Sequence, residues 1–186
     1  MNRRTWLQGL FAVAAGGTLT GAQGAQSMAS KQVEELQKNW RLLLAEGVKT
    51  PSPTDKVKLS NDEWKKRLEK LQYHVMREEG TERAGSSPLD REKRAGVFAC
   101  AGCDLPLFTS DMKFDSGTGW PSFFTTIPDV FETKTDHLLV YPRTEYHCAR
   151  CGSHHGHVFN DGPKPTGLRY CNNGVALKFI PKSAKA

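Results

Sequence analysis

Four of the five cysteines in this 186-residue chain come as two matched pairs, Cys100-Ala-Gly-Cys103 and Cys148-Ala-Arg-Cys151. Each C-x-x-C knuckle directs two thiolates at one point, and two knuckles together make the tetrahedral sulfur set that suits zinc. Residues 104–147 lie between them, a wider span than a compact zinc ribbon uses, so a shared metal would staple two distant segments. Two redox pairs or two structural disulfides are the alternatives, and an oxidising compartment permits them. The matched knuckles favour structural zinc. Four protein ligands leave no open position, so such a metal holds the fold and the chemistry lies elsewhere.

Cys171, in the stretch Arg169-Tyr-Cys-Asn-Asn173, is the cysteine left over. A free cysteine is usually a small buried hydrophobe. Its polar neighbours Arg169, Asn172 and Asn173 point instead to a strand edge facing a cleft, where a cation would favour the nucleophilic thiolate. A second cluster, Ser-His-His-Gly-His-Val-Phe159, carries His154, His155 and His157. Strand alternation sets His155 and His157 on one face, whereas a turn at Gly156 would bring His154 and His157 together. No carboxylate lies in the motif, so a Cys–His acid–base arrangement fits better than a second metal site. A third stretch, residues 116–123 (SGTGWPSF), sets Trp120 between a glycine turn and Pro121. Trp120 is a core anchor or the wall of a small apolar pocket, and its neighbours alone favour the core.

The elements that must position these groups change character at Gly96. Short β-favouring runs at 96–100, 105–108, 137–148 and 174–180 are punctuated by Gly, Pro, Asp and Asn. They predict a mainly β domain of antiparallel strands over about 95–181. Upstream, Val33, Leu36, Trp40, Leu43 and Leu44 form a helical stripe over 30–47, closed by Gly47. A proline-containing linker covers 48–58. Ser60 and Glu63 form a capping box for one helix carrying Trp64, Leu68, Leu71 and Val75 on a single face. Residues 80–96 read as loop, and the helices are expected on the outside of the β domain.

Residues 1–26 have the layout of an export signal: Arg3-Arg4 before Trp6-Leu7, a mild apolar stretch over 7–15, then small residues up to Ala25. The paired arginines suit the twin-arginine route, so the expected mature protein starts near residue 26 and works in a bacterial periplasm. It then comprises a helix and linker (27–58), the main domain (59–181) and a short tail (182–186). No apolar run reaches the roughly eighteen residues a spanning helix needs, so no stable membrane insertion is expected. A net charge of +6 spread along the chain favours a solubilising surface and no nucleic-acid partner.

Taken together, Cys100/Cys103, GTGWPSF, Cys148/Cys151, HxGHVFxDGPxPTGxRYCxN and the following LKF resemble the methionine-R-sulfoxide reductases, in order, from about Leu59 to Phe179. The resemblance implies two antiparallel sheets in a barrel-like fold, short N-terminal helices and one structural zinc per chain. It also implies reduction of the R epimer of methionine sulfoxide, mainly in oxidised proteins or peptides. Position by position, Cys171 corresponds to the nucleophile. His154 and His157 correspond to residues that position and protonate the sulfoxide oxygen, and Arg169 and Asn173 to residues that shape the thiolate's surroundings. Trp120 corresponds to the indole that packs on the S-methyl group, which displaces the core reading. Phe159 and Asp161 occupy cleft positions. Attack leaves Cys171 as a sulfenic acid, a reversible state.

One position departs from that pattern. Many members carry a second, resolving cysteine where this chain has Thr118. With no spare cysteine, the sulfenic acid is expected to be reduced by an external thiol, from a thioredoxin-fold protein or a small molecule, on a monomeric enzyme. Asn172 and His155 receive no role. A zinc-ribbon nucleic-acid module explains the knuckles and the charge but not Cys171 or the histidines. A C-x-x-C oxidoreductase needs a βαβ context that residues 96–181 lack.

Overall fold

The computed structural model describes residues 19–136 and 142–182, with side chains at Met28 and from Ser30 onward. The expected export signal lies largely outside these residues, as does the tail beyond Lys182. Helix α1 (Leu19–Asn39) begins ahead of the predicted 30–47 helix and ends short of it. Asn39 leaves helical dihedrals at φ −94°, ψ 8°, and the chain tightens into a 3₁₀ turn over Trp40–Leu43. Leu36 and Trp40 pack on the core, and Gln37 Nε2 donates to Thr125 Oγ1 at 3.1 Å, which ties this segment to the β domain. No helix among the described residues is long and apolar enough to cross a membrane.

The Ser60/Glu63 capping box is present, but the helix it opens is shorter than predicted. Helix α2 (Asn61–Arg67) stops where Leu68 turns extended, and α3 (Lys70–Glu78) starts afresh. Gln72 Oε1 accepts the Glu69 backbone N–H at 3.1 Å, a local bond that resets the chain direction. The reset buries Trp64, Leu68, Val75 and Met76 and leaves Leu71 46% exposed, so the single apolar face predicted over 64–75 does not exist.

Nine strands follow among the described residues: β1 (Gly96–Cys100), β2 (Pro106–Thr109), β3 (Lys113–Phe114), β4 (Ser122–Phe123), β5 (Phe131–Asp136), β6 (Arg143–Cys148), β7 (His154–Phe159), β8 (Arg169–Asn172) and β9 (Leu177–Pro181). The predicted run over 137–148 is a strand from Arg143; residues 137–141 lie outside the described set. All pairings are antiparallel, in a three-stranded sheet β2-β1-β9 and a six-stranded sheet β3-β4-β8-β7-β6-β5. The mainly β, two-sheet architecture is therefore as expected. Between the sheets lie Phe98, Phe108, Phe123 and Tyr146, with the Phe108 and Phe123 rings stacked at 3.9 Å. Buried aromatic pairs of this kind contribute about 0.5–1.5 kcal/mol beyond their area.

Candidate active site and metal centre

Cys100 ends β1 and Cys103 lies in the turn after it; Cys148 ends β6 and Cys151 lies in its turn. The knuckles thus belong to different sheets and close on each other at one end of the molecule. Cys100 and Cys151 Sγ are 3.7 Å apart, Cys103 and Cys148 Sγ 3.5 Å, and all four sulfurs fall within 4.8 Å of one another. Those separations are far longer than the about 2.05 Å of a disulfide. They match the edge of a tetrahedron whose metal–sulfur bonds are about 2.3 Å. All four cysteines are buried. Burial, with the neighbouring thiols adding, pushes the Cys100 thiol well above its ordinary range. A bound cation reverses that balance, because a coordinating thiol is deprotonated. The four sulfurs are positioned to hold a metal, as expected.

Cys171 lies at the other functional centre, near the middle of the six-stranded sheet. Ser122 of β4 and His157 of β7 pair with it on either side. Gly156 makes this approach feasible, since a Cβ there would sit 1.9 Å from the Cys171 carbonyl oxygen. A cleft of about 180 Å³ opens above, lined by Trp120, His157, Phe159, Cys171 and Asn173 together with Thr81 and Arg143. Trp120 is thus a cleft wall and not a core anchor. Its Nε1 donates to the Glu82 carbonyl at 3.2 Å, which fixes the indole.

The remaining predicted residues sit around this cleft. Arg169 forms a two-pronged pair with Asp161 (Nε–Oδ1 and Nη2–Oδ2, both 2.8 Å) and stacks over the Phe159 ring at 4.4 Å. Asp161 therefore holds Arg169 and does not line the cleft. His154 does not line it either: it is 1% exposed, and its ring centre is 5.6 Å from that of His157. A register shift in β7 opposite Tyr146/His147 makes His155 the extra residue, which brings His154 and His157 onto one face. Burial pulls the His154 pKa down to about 3, with His147, His155 and His157 adding, so it is neutral at pH 7.

Arg169 favours the Cys171 thiolate, as expected, but burial opposes it more strongly. Burial raises the Cys171 pKa above its ordinary value, outweighing the Arg169 charge and the Thr118 hydroxyl, which lower it. Arg169 is spent largely on Asp161, whose own charge also raises the Cys171 pKa. The balance at Cys171 thus shifts toward the thiol.

Several residues that build the surroundings of the cleft carried no usable sequence signal. Glu82, in the stretch read as loop, accepts the Gly174 and Val175 N–H groups at 2.5 and 3.0 Å and donates its own N–H to Asn173 Oδ1 at 3.0 Å. Asn172 is buried and accepts the Tyr146 hydroxyl at 2.9 Å, while His155 is buried with its ring stacked toward Tyr146. These partners lie far apart in the chain, so no spacing announces them.

The SelR domain model matches residues 68–181. The chain is 52% identical over 130 residues to the peptide methionine sulfoxide reductase MsrB of Pseudomonas putida, covering 68% of this chain and 96% of that protein. It is 54% identical over 124 residues to the enzyme of the same name from Methanosarcina barkeri (66% and 87%). It is 50% identical over 128 residues to the chloroplastic peptide methionine sulfoxide reductase B1 of Oryza sativa, spanning 60% of that longer protein. A thiol in an aromatic-walled cleft and a separate four-sulfur metal centre, on two antiparallel sheets, accord with those matches. The chain belongs to the SelR family of oxidoreductases, the B-type peptide methionine sulfoxide reductases.

Proposed function

We propose that this chain reduces the R epimer of methionine sulfoxide in oxidised proteins and peptides. The observation that carries the reading is the half-buried Cys171 thiol in the cleft between Trp120, Phe159 and His157. Trp120 and Phe159 offer an apolar seat for the S-methyl group, and the side of the cleft bearing His157 receives the polar sulfoxide oxygen. Cys171 loses its proton as it attacks the sulfoxide sulfur, and the oxygen is protonated from the His157 side. Methionine leaves, and the oxygen remains on Cys171 as sulfenic acid, so the thiol loses the two electrons that the sulfoxide gains. An external thiol then attacks the sulfenic sulfur, releases water and forms a mixed disulfide, which a second thiol resolves. The other four cysteines cluster where they can hold a metal, and Thr118 stands where a resolving thiol would be, which supports the external route.

Zinc is the metal we assign to the four-sulfur centre, where it supplies folding energy and no reactive position. Arg3-Arg4 supports twin-arginine export, a route that carries folded cargo, so the metal would be loaded before the thiols meet the oxidising periplasm. The reading is tested with zinc-loaded protein, excess dithiothreitol and separate epimers of a blocked methionine sulfoxide. Consumption of the R epimer alone, abolished in Cys171→Ser, is expected. Consumption of the S epimer, or none by a folded sample, would overturn it.

A further inference from the structure

The strand row that carries Cys171 continues beyond the cleft. Paired positions run from Ser122 to Cys171, His157, Glu145 and Lys134, one residue from each of β4, β8, β7, β6 and β5. Residues paired across neighbouring strands project from one face of a sheet, so the thiol, a cleft histidine and a carboxylate share that face. Glu145 is 3% exposed, and a buried carboxylate is costly unless charge and hydrogen bonds compensate it.

Its surroundings divide its two oxygens. Glu145 Oε1 is in short contact with His154 Nδ1, a nitrogen with no other partner among the described residues. Oε2 lies 3.3 Å from Lys134 Nζ and 3.4 Å from His147 Nε2, and Lys134 also pairs with Glu79. The register shift in β7 pairs His154 with His147, beside Glu145 on the same face. His154 Nε2 is buried with no hydrogen-bond partner among the described residues, and the His157 ring follows it at 5.6 Å.

Glu145, His147 and His154 also place ligating atoms within 4.8 Å of one another, the outline of a cation site. The Lys134 ammonium on the outer oxygen already supplies the positive charge there and would repel a metal. A carboxylate can only accept hydrogen bonds, so the histidine nitrogen that faces it must carry the proton. We propose that Glu145 is a positioning residue of the active site: it holds His154 as its Nδ1–H tautomer, and His154 in turn sets the ring of His157 beside Cys171. A carboxylate that selects a histidine tautomer is a device whose loss is felt in turnover more than in binding. The catalytic consequence rests on the proposed function; the tautomer does not.

The test uses the full, zinc-loaded chain and the long-range ¹H–¹⁵N spectrum of its histidines. His154 is expected to show the Nδ1–H tautomer at pH 7. In Glu145→Gln the amide oxygen turns to Lys134, which can only donate, and presents its NH₂ group to Nδ1, so the tautomer switches to Nε2–H. Turnover should fall about tenfold or more with KM changed less than about twofold. In a His154→Ala background the same substitution should cost nothing further. Combining Glu145→Gln with Lys134→Met frees the amide oxygen to face His154 and should restore Nδ1–H. An Nε2–H tautomer in the unsubstituted protein would overturn the proposal even if Glu145→Gln fails to fold. So would an equal loss of turnover with and without His154. If the unsubstituted protein reduces neither epimer, the proposed function fails while the tautomer still decides the positioning claim.

Discussion

Five copies of one side chain occupy two settings in this molecule, and their fates differ. At the metal end, four thiols converge in a buried pocket spanning both sheets. At the cleft, one thiol stands alone beside Ser122 and His157 within a single sheet. Burial acts in the same direction on Cys100 and Cys171, disfavouring the thiolate at each. What separates them is the compensating charge. Four convergent sulfurs can share a divalent cation, whereas Cys171 has an arginine already committed to Asp161 and a threonine hydroxyl. A cysteine's role here is set by how many others it meets and by what neutralises it.

The largest effect that comparison predicts is on folding. Removing one ligand with Cys148→Ser should release the metal and unfold the domain. Structural zinc in small domains contributes about 10–16 kcal/mol, as much as the whole stability of a typical domain. Metal content and circular dichroism check this, and a folded, metal-loaded variant would remove the distinction between the two ends. Cys171→Ser should retain both metal and fold.

The next effect is kinetic. Because the Cys171 pKa is raised, its thiolate fraction grows as pH rises toward that pKa, and alkylation by iodoacetamide should speed up about tenfold per unit between pH 7 and 9. Asp161→Asn removes a charge that raises the Cys171 pKa and frees Arg169, so the profile should move to lower pH. In metal-loaded protein, Cys100, Cys103, Cys148 and Cys151 should react only after chelation. A plateau below pH 7 in the unsubstituted protein would mean that Arg169 outweighs burial. The smallest effect is confined to the cleft wall: Trp120→Ala should raise KM about tenfold, or about 1.4 kcal/mol, with metal content unchanged.

Regularly spaced local features were the legible ones. The two knuckles, the Ser60–Glu63 box and the strand-forming stretch after Gly96 are each written in a few neighbouring residues, and the structure realises them. The His154–His157 meeting was legible only as one of two options, because a one-residue register shift decides it. The helix break at Leu68 was hidden because Trp64, Leu68, Leu71 and Val75 fit one stripe, while the capping bond that opens the next helix joins Glu69 to Gln72. Glu82 and Glu145 were invisible for a different reason. Each acts on partners far away in sequence, Asn173, Gly174 and Lys134 among them, so only the fold brings them together.

The most direct test of the division of labour is a single turnover without reductant. Zinc-loaded protein is mixed with the R-epimer substrate, quenched with a sulfenic-acid-specific probe and mapped by peptide mass spectrometry. The account predicts one adduct, on the peptide bearing Cys171, with the four metal-centre cysteines unlabelled. An adduct on Cys100, Cys103, Cys148 or Cys151, or a disulfide joining one of them to Cys171, would contradict it.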